Sequence, residues 1–237
     1  MRRTRFEVLS MSENYASLCH DMVEQQIAAR GVRDARVLAA MRKVPRHEFV
    51  PEAQRAQAYS DGPLPIGDGQ TISQPYIVAH MAEALLLAGG EHVLEIGAGS
   101  GYAAAVLAEI AREVITVERI APLAVQARAT LQRLGYANVE VVIGDGTLGW
   151  PPAAPYDAIV VAAGGPSVPP SLRAQLKPGG RLVIPVGQIS YAQALVRVTR
   201  GADGKDRDEE LSLVSFVPLI GAEGWQDSGA RQPSRKA

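Results

Sequence analysis

Two spacings of hydrophobic residues divide the chain into regions. In residues 14–58, apolar residues such as Val37, Leu38, Met41 and Val44 recur at helical spacing with charged residues between them. From His92 onward, short apolar runs rich in valine and isoleucine alternate with longer segments of helical pattern. The first pattern predicts a helical region, and the second predicts a doubly wound, mostly parallel α/β sheet with helices on both faces.

The second pattern predicts seven strands. We place them at 93–96, 114–117, 139–143, 158–161, 181–186, 194–199 and 211–217, with helices at 102–111, 121–134 and 168–176. The polar stretch 201–210 between the last two strands is interpreted as a solvated turn. In the helical region, Gly31 and Asp34 indicate the end of one helix and the capped start of another.

Residues 59–73 separate the two regions. Four glycines or prolines fall within seven positions from Gly62, so no regular element is expected there. A long loop in a compact protein is usually functional or disordered, and the apolar residues of this one favour a function. The next residues, Ser73, Gln74 and Pro75, predict the start of a helix that ends near Leu87.

Composition and charge exclude several classes of protein. Hydrophobic residues make up 47% of the chain, which is enough for a full core and argues against disorder. The formal net charge of -1 argues against binding nucleic acid by massed phosphate neutralisation. No apolar run approaches the roughly 18 residues of a membrane span, so no membrane association is expected. Cys19 is the only cysteine, and we expect it to be a buried apolar residue in a cytoplasmic protein without metal.

A glycine loop follows the first predicted strand of the sheet. Gly97, Gly99 and Gly101 lie between an apolar run and a helical segment, an order that is typical of nucleotide-binding loops. A dinucleotide fingerprint requires a third glycine at position 102, where this chain has Tyr102. The spacing of the glycines, with Glu95 two positions earlier, is the form found in S-adenosylmethionine enzymes.

Acidic residues stand at the carboxyl ends of three consecutive predicted strands. Glu118 follows Glu95 by 23 positions, close to the offset at which a carboxylate binds ribose hydroxyls. Asp145, followed by Gly146, is placed to bind an adenine amino group. Such strand ends face the crevice where open α/β sheets bind ligands. The alternative is that these acids are ordinary strand-end turn residues.

Several longer segments resemble the protein-L-isoaspartate O-methyltransferase family, and the resemblance runs from about Met22 to Trp225. The segments are MVEQQIAARGV, VLAAMRKVPRHEFVP, PLPIGDGQTISQPYIVAHM, VLEIGAGSGY, VITVER, GDG at 144–146, LKPGGRLVIPVG and FVPLIGAEGW. The glycine loop is common to many methyltransferases, whereas GQTISQP and FVPLIG are narrower. The chain departs from the family pattern at Ala98, where threonine is usual, and at Gly164-Gly165, where small apolar residues and proline are usual.

The resemblance implies a fold, a cofactor and a reaction. The fold is the class I S-adenosylmethionine-dependent methyltransferase type. The implied reaction moves a methyl group from S-adenosylmethionine to the free α-carboxylate of an L-isoaspartyl residue in damaged proteins and peptides. The ester then closes to a succinimide, which partly reopens as normal aspartate. A carboxylate of this kind is already ionised at pH 7, so the reaction requires no general base.

The resemblance also implies the site residues. Ser73 matches the active-site serine, whose expected role is a hydrogen bond to the acceptor carboxylate; alternatively, Ser73 is only the N-cap of the following helix. Residues expected at the cofactor are Gln70, Thr71, Ile72, Glu95, Gly97, Gly99, Gly101, Glu118, Arg119, Asp145 and Gly146, with ordinary packing as the alternative for Ile72. Residues expected at the substrate are Ser73, Phe216, Val217 and Leu219, although without the family the last three are simply a strand that ends at a proline. His80, about one helical turn or more beyond Ser73, is a candidate supporting contact.

Other functions fit parts of the same pattern. A dedicated enzyme that methylates an aspartate in one precursor peptide would share every motif. A nucleic-acid methyltransferase would normally have a basic surface and an aromatic-flanked motif for a base, and neither is visible here. A cofactor-binding protein without catalysis would usually have lost one of the site residues.

The sequence thus predicts four regions. Residues 1–13 are expected to be a flexible arm, 14–73 a helical region with the active-site loop, 74–225 the S-adenosylmethionine-binding domain, and 226–237 a disordered tail. We expect the protein to be a monomer whose partners are isoaspartyl proteins and peptides.

Overall fold

The computed structural model describes residues 14–189 and 191–227, which begin with the predicted helical region. Residues 14–21 form helix α1, which passes into a π-helical segment, Met22–Ile27, and a short turn, Ala28–Arg30. Helix α2 spans Ala35–Lys43. Two short 3₁₀ helices, Arg46–Phe49 and Glu52–Gln57, complete the region. The prediction of a helical region is confirmed.

The junction before α2 forms as the sequence predicts. Gly31 has φ +103°, a left-handed conformation that suits glycine, and its N–H bonds to the carbonyl of Ala28 at 3.1 Å. Asp34 caps α2, because its carboxylate accepts hydrogen bonds from the N–H groups of Arg36 and Val37.

A seven-stranded sheet forms the centre of the molecule, as the sequence predicts. The strands are β3 (His92–Ile96), β4 (Glu113–Glu118), β5 (Val139–Ile143), β6 (Tyr156–Val161), β7 (Leu176–Val186), β8 (Gln193–Arg200) and β9 (Asp206–Val214). Their spatial order is β5-β4-β3-β6-β7-β8-β9. Neighbouring strands from β5 to β7 are parallel, and β8 and β9 are added antiparallel at one edge.

One helix precedes the first strand of the seven-stranded sheet, and the next three connect its parallel strands. They are α3 (Pro75–Ala84), α4 (Tyr102–Ala108), α5 (Ala121–Arg133) and α6 (Pro170–Ala174). Each of the four lies where a helix is predicted, although α3, α4 and α6 are shorter than expected.

Hydrophobic residues on alternate positions of the strands pack in two separate cores. On β3, Val93 packs with the N-terminal region and helices α2 to α5, whereas Leu94 packs in the second core. On β6, Val160 and Ile159 alternate between the same two cores. The second core contains Leu172 of α6 and Leu219 near the C-terminus. The central strands are therefore buried on both faces, which explains their nearly continuous apolar sequence.

The prediction that residues 59–73 lack a regular element is wrong. Strands β1 (Leu64–Gly67) and β2 (Gln70–Ile72) form an antiparallel hairpin. Its turn is Asp68-Gly69, with φ +50° and +70°, and positive φ at both positions is the requirement of the favoured two-residue hairpin turn. The Asp-Gly pair is the sequence signal that predicts this hairpin.

The predicted turn at 201–210 is also partly wrong, because β9 starts at Asp206 and ends at Val214. Its acidic residues pair across the edge of the sheet: Arg200 Nε bonds to Asp206 at 2.9 Å, and Arg197 Nη2 bonds to Glu209 at 2.6 Å. Charged residues are common on exposed edge strands, where they oppose edge-to-edge association. Residues 215–217, predicted as strand, lie beyond the end of β9.

Within the described ranges 14–189 and 191–227, no helix is long and apolar enough to cross a membrane. The predicted arm, 1–13, and most of the predicted tail, 228–237, lie outside the described residues.

Candidate active site

A cleft opens at the carboxyl ends of strands β3, β4 and β6, between the hairpin β1–β2 and the C-terminal segment. This is the edge at which open parallel sheets bind ligands. Its lining comes from the hairpin and the residue after it (Gln70, Thr71, Ile72, Ser73), the glycine loop and the helix that it starts (Ile96, Gly97, Ala98, Gly99, Ser100, Tyr102, Ala103), strand ends (Val117, Glu118, Arg119, Ile120, Gly146, Ala162, Ala163), the C-terminal segment (Val217, Pro218, Leu219, Ile220) and Val78.

The glycine loop uses its glycines for two purposes. Gly99 has φ +51° and lies under the hairpin, since a Cβ at this position would be 3.3 Å from Ile66 Cδ1. Gly101 has φ +88° and packs against α5, where a Cβ would be 3.1 Å from Leu131 Cδ1. Gly97 and Gly99 line the cleft, whereas Gly101 is not among the lining residues and serves the packing of α4 on α5.

The Glu118 carboxylate is fixed at the cleft by backbone hydrogen bonds. Oε2 accepts from the N–H of Gly99 at 2.9 Å, and Oε1 accepts from the N–H of Ile120 at 2.9 Å. The side chain is buried and lines the cleft. Each carboxylate oxygen can accept more than one hydrogen bond, so a ligand hydroxyl can still be bound.

Asp145 lies beside the cleft, and its carboxylate bonds within the protein. Oδ1 accepts from the N–H and hydroxyl of Thr147, and Oδ2 accepts from the N–H of Ala222 at 2.7 Å. Partial burial raises the pKa of Asp145, but the hydrogen bonds from Ala222 and Thr147 outweigh it and hold the pKa below its usual value. The next residue, Gly146, does line the cleft and packs so closely on Ile96 that a Cβ would overlap it.

Glu95 lies beneath the cleft, in β3. Its side chain is fully buried, its Oε2 accepts from the hydroxyl of Thr116 at 2.5 Å, and its Oε1 has no partner among the described residues. Burial raises the pKa of this carboxyl to about 8. Glu95 lines a small, mainly apolar cavity that adjoins the cleft and is also lined by Ser73 and Phe216.

Ser73 lines both the cleft and the smaller cavity. The helix after it begins at Pro75 with Gln74 as the N-cap residue, and no side-chain cap hydrogen bond is present. The interpretation of Ser73 as an N-cap is therefore wrong. None of the described residues hydrogen-bonds to Ser73 Oγ, so the hydroxyl remains available at the cleft.

The hairpin and the end of β4 bring further predicted residues to the cleft. Gln70, Thr71 and Ile72 all line it, with Ile72 buried and Thr71 exposed. Arg119 also lines it, and its guanidinium pairs with Asp227 at 2.8 Å.

The C-terminal segment is held beside the cleft by backbone pairing with Gly164. The N–H of Gly164 bonds to the carbonyl of Val217, and the N–H of Leu219 bonds to the carbonyl of Gly164, both at 2.8 Å. Val217 and Leu219 line the cleft, whereas Phe216 lines the adjoining cavity. The pairing leaves the N–H of Val217 without a backbone partner among the described residues, so it is available to a ligand chain.

Packing explains the glycine at position 164. A Cβ on Gly164 would overlap the side chain of Gln193, whose Oε1 accepts from the N–H of Phe216 at 2.9 Å. The departure from the family pattern at this position therefore accompanies a glutamine that anchors the C-terminal segment.

The remaining candidates lie away from the cleft. His80 hydrogen-bonds to Ser212 Oγ at 3.2 Å and stacks on Tyr76, and no hydrogen bond joins it to Ser73 among the described residues. Cys19 is buried, as expected, and burial raises its pKa. Among the described residues, no group of three or more His, Cys, Asp and Glu side chains is arranged to hold a metal ion.

Sequence reasoning missed part of the lining. Ile96, Ser100, Tyr102, Ala103 and Ala162 belong to elements that were predicted, but periodicity alone does not show which of their residues face the cleft. The order of strand, glycine loop and helix is the signal that could have found Ser100 and Tyr102, because they follow the loop directly.

Comparison of the sequence with known families matches most of the chain. The profile of the protein-L-isoaspartate(D-aspartate) O-methyltransferase family matches residues 17–224. A protein-L-isoaspartate O-methyltransferase of Rhodopseudomonas palustris is 68% identical over 205 residues, covering 86% of this chain and 94% of that protein. The chain is also 61% identical to protein-L-isoaspartate O-methyltransferase 2 of Pelobacter propionicus, over 86% of this chain and 91% of that protein.

Solved structures give the same result. A protein-L-isoaspartate O-methyltransferase structure superposes with a TM-score of 0.78 at 31% identity, covering 89% of this chain and 67% of that chain. A Plasmodium falciparum protein of the same description, in complex with S-adenosyl-L-homocysteine, superposes with a TM-score of 0.72 at 25% identity. That comparison covers 87% of this chain and 98% of the other.

Proposed function

Since the chain belongs to the protein-L-isoaspartate(D-aspartate) O-methyltransferase family, we propose that its cleft binds S-adenosylmethionine beside an L-isoaspartyl residue whose free α-carboxylate meets Ser73. The protein is an S-adenosylmethionine-dependent methyltransferase that methylates isoaspartyl residues and so begins their repair. Our proposal assigns the parts of that reaction to residues of this chain.

The assignment of Ser73 to the acceptor carboxylate rests on its hydroxyl, which is available at the cleft. It lies at the junction of the cleft and the smaller cavity, with no hydrogen-bond partner among the described residues. A carboxylate acceptor needs hydrogen-bond donors that fix its orientation rather than a base, since its pKa of roughly 3.5–4 leaves it ionised at pH 7. The Ser73 hydroxyl is such a donor, and the described residues that line the cleft include no histidine or lysine.

The groups that this chain presents at the cleft fit the requirements of the cofactor. Glu118 offers carboxylate oxygens for ribose hydroxyls, and Gly97 and Gly99 allow close approach of the backbone. The buried Oε1 of Glu95 has no partner among the described residues, which leaves a hydrogen-bonding atom beneath the loop for a polar group of the cofactor. When bound, S-adenosylmethionine supplies the methyl group as an electrophile.

The chain's other residues complete the site. Gln70, Thr71 and Ile72 cover the cofactor, Arg119 and Gly146 border it, and Asp145 holds Thr147 and Ala222 in place. Gly101 supports the glycine loop through its contact with α5.

On the substrate side, Val217 and Leu219 receive the peptide, with the N–H of Val217 as a donor to its backbone. Phe216 closes the smaller cavity behind the acceptor. Exclusion of water and alignment of the reacting atoms supply the rate acceleration, because no proton has to move before the methyl group is transferred.

Residues 14–73 and 74–225 act together in this proposal. The first region supplies the hairpin and Ser73, and the second supplies the cofactor side of the cleft. Their contact is supported by packing of Phe49 against Tyr102, with ring centroids 5.6 Å apart. We propose a cytoplasmic monomer that acts on proteins and peptides and does not bind nucleic acid, which the net charge of -1 supports.

A panel of peptides tests the proposed function against a dedicated peptide-modifying enzyme. Unrelated isoaspartyl peptides are incubated with labelled S-adenosylmethionine, and tandem mass spectrometry locates the methyl ester. We expect every peptide to carry the ester on the isoaspartyl α-carboxylate. Labelling of a single sequence, or of another carboxylate, would contradict the proposal.

A further inference from the structure

Arg46 is a buried cation close to the active site. Its relative exposure is 0%, and no carboxylate pairs with it among the described residues. A buried charge without a counterion is costly unless hydrogen bonds compensate for its lost hydration. The contacts of Arg46 therefore show what its position achieves.

Those contacts join three parts of the molecule. Nε donates to the carbonyl of Ala58 at 2.7 Å, and Nη2 donates to the carbonyl of Ser73 at 2.8 Å. The guanidinium carbon lies over the ring of Tyr102, 4.8 Å from its centroid. One planar group thus touches the residue directly before segment 59–73, the last residue of that segment, and the first residue of α4 after the glycine loop.

This geometry constrains Ser73 itself. The hydroxyl of Ser73 has no partner among the described residues, and its N-cap position is taken by Gln74, so side-chain bonds do not orient it. The hydrogen bond to its carbonyl fixes the local backbone, and the backbone sets the direction of the Cα–Cβ bond. Arg46 is the side chain that makes this bond.

We propose that Arg46 is a positioning residue for methyl transfer, which holds the carbonyl of Ser73 so that the Ser73 hydroxyl points at the acceptor carboxylate. The proposal rests on the proposed function, since it requires that Ser73 bind the acceptor. It also gives a reason for burying Arg46, whose Nη1 has no hydrogen-bond partner among the described residues and is therefore costly to desolvate.

Lysine at this position would keep the positive charge but would lose the hydrogen-bonding geometry of the guanidinium group. An ammonium group is a point donor and cannot bond two carbonyls from the fixed fork of a guanidinium while stacking on a ring. Arg46→Lys is thus expected to loosen Ser73 without removing the positive charge. Arg55→Lys is the matched control, because Arg55 lies in the same region but its side chain is 39% exposed and pairs with Glu48 at 3.9 Å.

A double-mutant cycle separates positioning from general stabilisation. The turnover number kcat and the KM values for peptide and cofactor are measured for wild type, Arg46→Lys, Ser73→Ala and the double variant. We expect Arg46→Lys to lower kcat by about tenfold in the wild-type background and by less than about twofold when Ser73 is already alanine. The KM for S-adenosylmethionine should stay within about threefold, and Arg55→Lys should change neither constant.

The cycle distinguishes failure of the role proposed for Arg46 from failure of the proposed function. An equal loss of kcat in both backgrounds, or a loss confined to the KM for S-adenosylmethionine, would overturn the role of Arg46 and leave that of Ser73 intact. Unchanged kcat in Ser73→Ala would overturn both. If Arg46→Lys does not fold, the cycle is run with Arg46→Gln, for which we expect the same coupling and for which additive losses would overturn the proposal.

Discussion

At the scale of single residues, the proposed role of Ser73 in catalysis is supported by a side-chain hydroxyl that has no hydrogen-bond partner among the described residues. Its hydroxyl lies at the junction of two cavities, and the helix after it is capped from Gln74 without any side-chain bond. A hydroxyl in that position can donate to an anionic acceptor, and hydrogen bonds to charged groups contribute about 1.5–3 kcal/mol.

We expect Ser73→Ala to lower kcat on an isoaspartyl peptide by about 10- to 100-fold, which corresponds to loss of one such bond. The affinity for S-adenosyl-L-homocysteine, measured by calorimetry, should change by less than about threefold, since Ser73 acts on the acceptor. Ser60→Ala, an exposed serine of the same segment, is the control. Undiminished turnover would remove Ser73 from the mechanism.

Glu118 also lines the cleft, and we propose that it binds the ribose of the cofactor. Because its carboxylate binds the N–H groups of Gly99 and Ile120, its loss should disturb the glycine loop as well as the ribose contact. We expect Glu118→Ala to raise the Kd for S-adenosyl-L-homocysteine by about 10- to 100-fold. Glu113→Ala, at the exposed start of the same strand, should leave the Kd unchanged. Equal Kd values for both variants would refute the ribose assignment.

The buried Glu95 carboxyl is expected to make the free energy of unfolding depend on pH. Its pKa is raised from 4.5 to about 8 by burial, so the folded protein keeps a proton that the unfolded chain releases above pH 4.5. The stabilising effect of that proton is complete below pH 4.5 and is lost as the pH rises to about 8, by at most about 1.4 kcal/mol per pH unit.

The measurement is the free energy of unfolding of the cofactor-free protein between pH 5 and 8. We expect wild type to lose stability relative to Glu95→Gln across this range, because glutamine stays neutral. Glu140→Gln, at an exposed position of β5 in the same sheet, should show no such divergence. Parallel curves for wild type and Glu95→Gln would show that Glu95 is ionised throughout.

At the scale of elements, the hairpin β1–β2 is the part of the site that periodicity does not predict. It is too short for an alternating pattern to stand out, and its glycines and proline indicate a loop. The ladder depends on Asp68-Gly69, where both residues have positive φ. By contrast, the strands from β3 to β7 and the capped start of α2 were predictable. Runs of apolar residues and a capping aspartate are visible in the sequence of the element itself.

We expect Gly69→Ala to open the hairpin, since a Cβ at φ +70° costs about 1–2 kcal/mol. Hydrogen exchange of residues 64–72 should become faster, and the KM for S-adenosylmethionine should rise because Gln70, Thr71 and Ile72 line its cleft. Gly62→Ala is the matched control, since Gly62 has no positive φ and open space around it. Identical exchange in the two variants would contradict this view of the hairpin.

The edge strand β9 shows a second limit of sequence reasoning. Its residues 206–210 are all charged, so hydropathy indicates a turn, yet tertiary pairing with Arg173, Arg197 and Arg200 holds them in the sheet. The burial of Arg46 is a similar case, because neither its sequence neighbours nor its charge predicts a buried side chain.

At the scale of the whole molecule, two regions meet to form one site. The sequence order of strands and glycine loop was enough to predict the sheet and the cofactor edge. The orientation of Ser73 was not, because it depends on Arg46, which is 27 positions earlier in the chain. A net charge of -1 gives the surface no strong field of either sign, which suits an enzyme that meets many different protein substrates.

The central claim is that the site accepts an isoaspartyl carboxylate and rejects an ordinary aspartyl one. It is tested most directly with two peptides of identical sequence that differ only in that linkage, assayed with labelled S-adenosylmethionine. We predict a kcat/KM for the isoaspartyl peptide at least about 100-fold higher, since only its α-carboxylate can reach Ser73 while the chain lies on residues 217–219. Equal labelling of both peptides, or labelling of neither, would contradict the account.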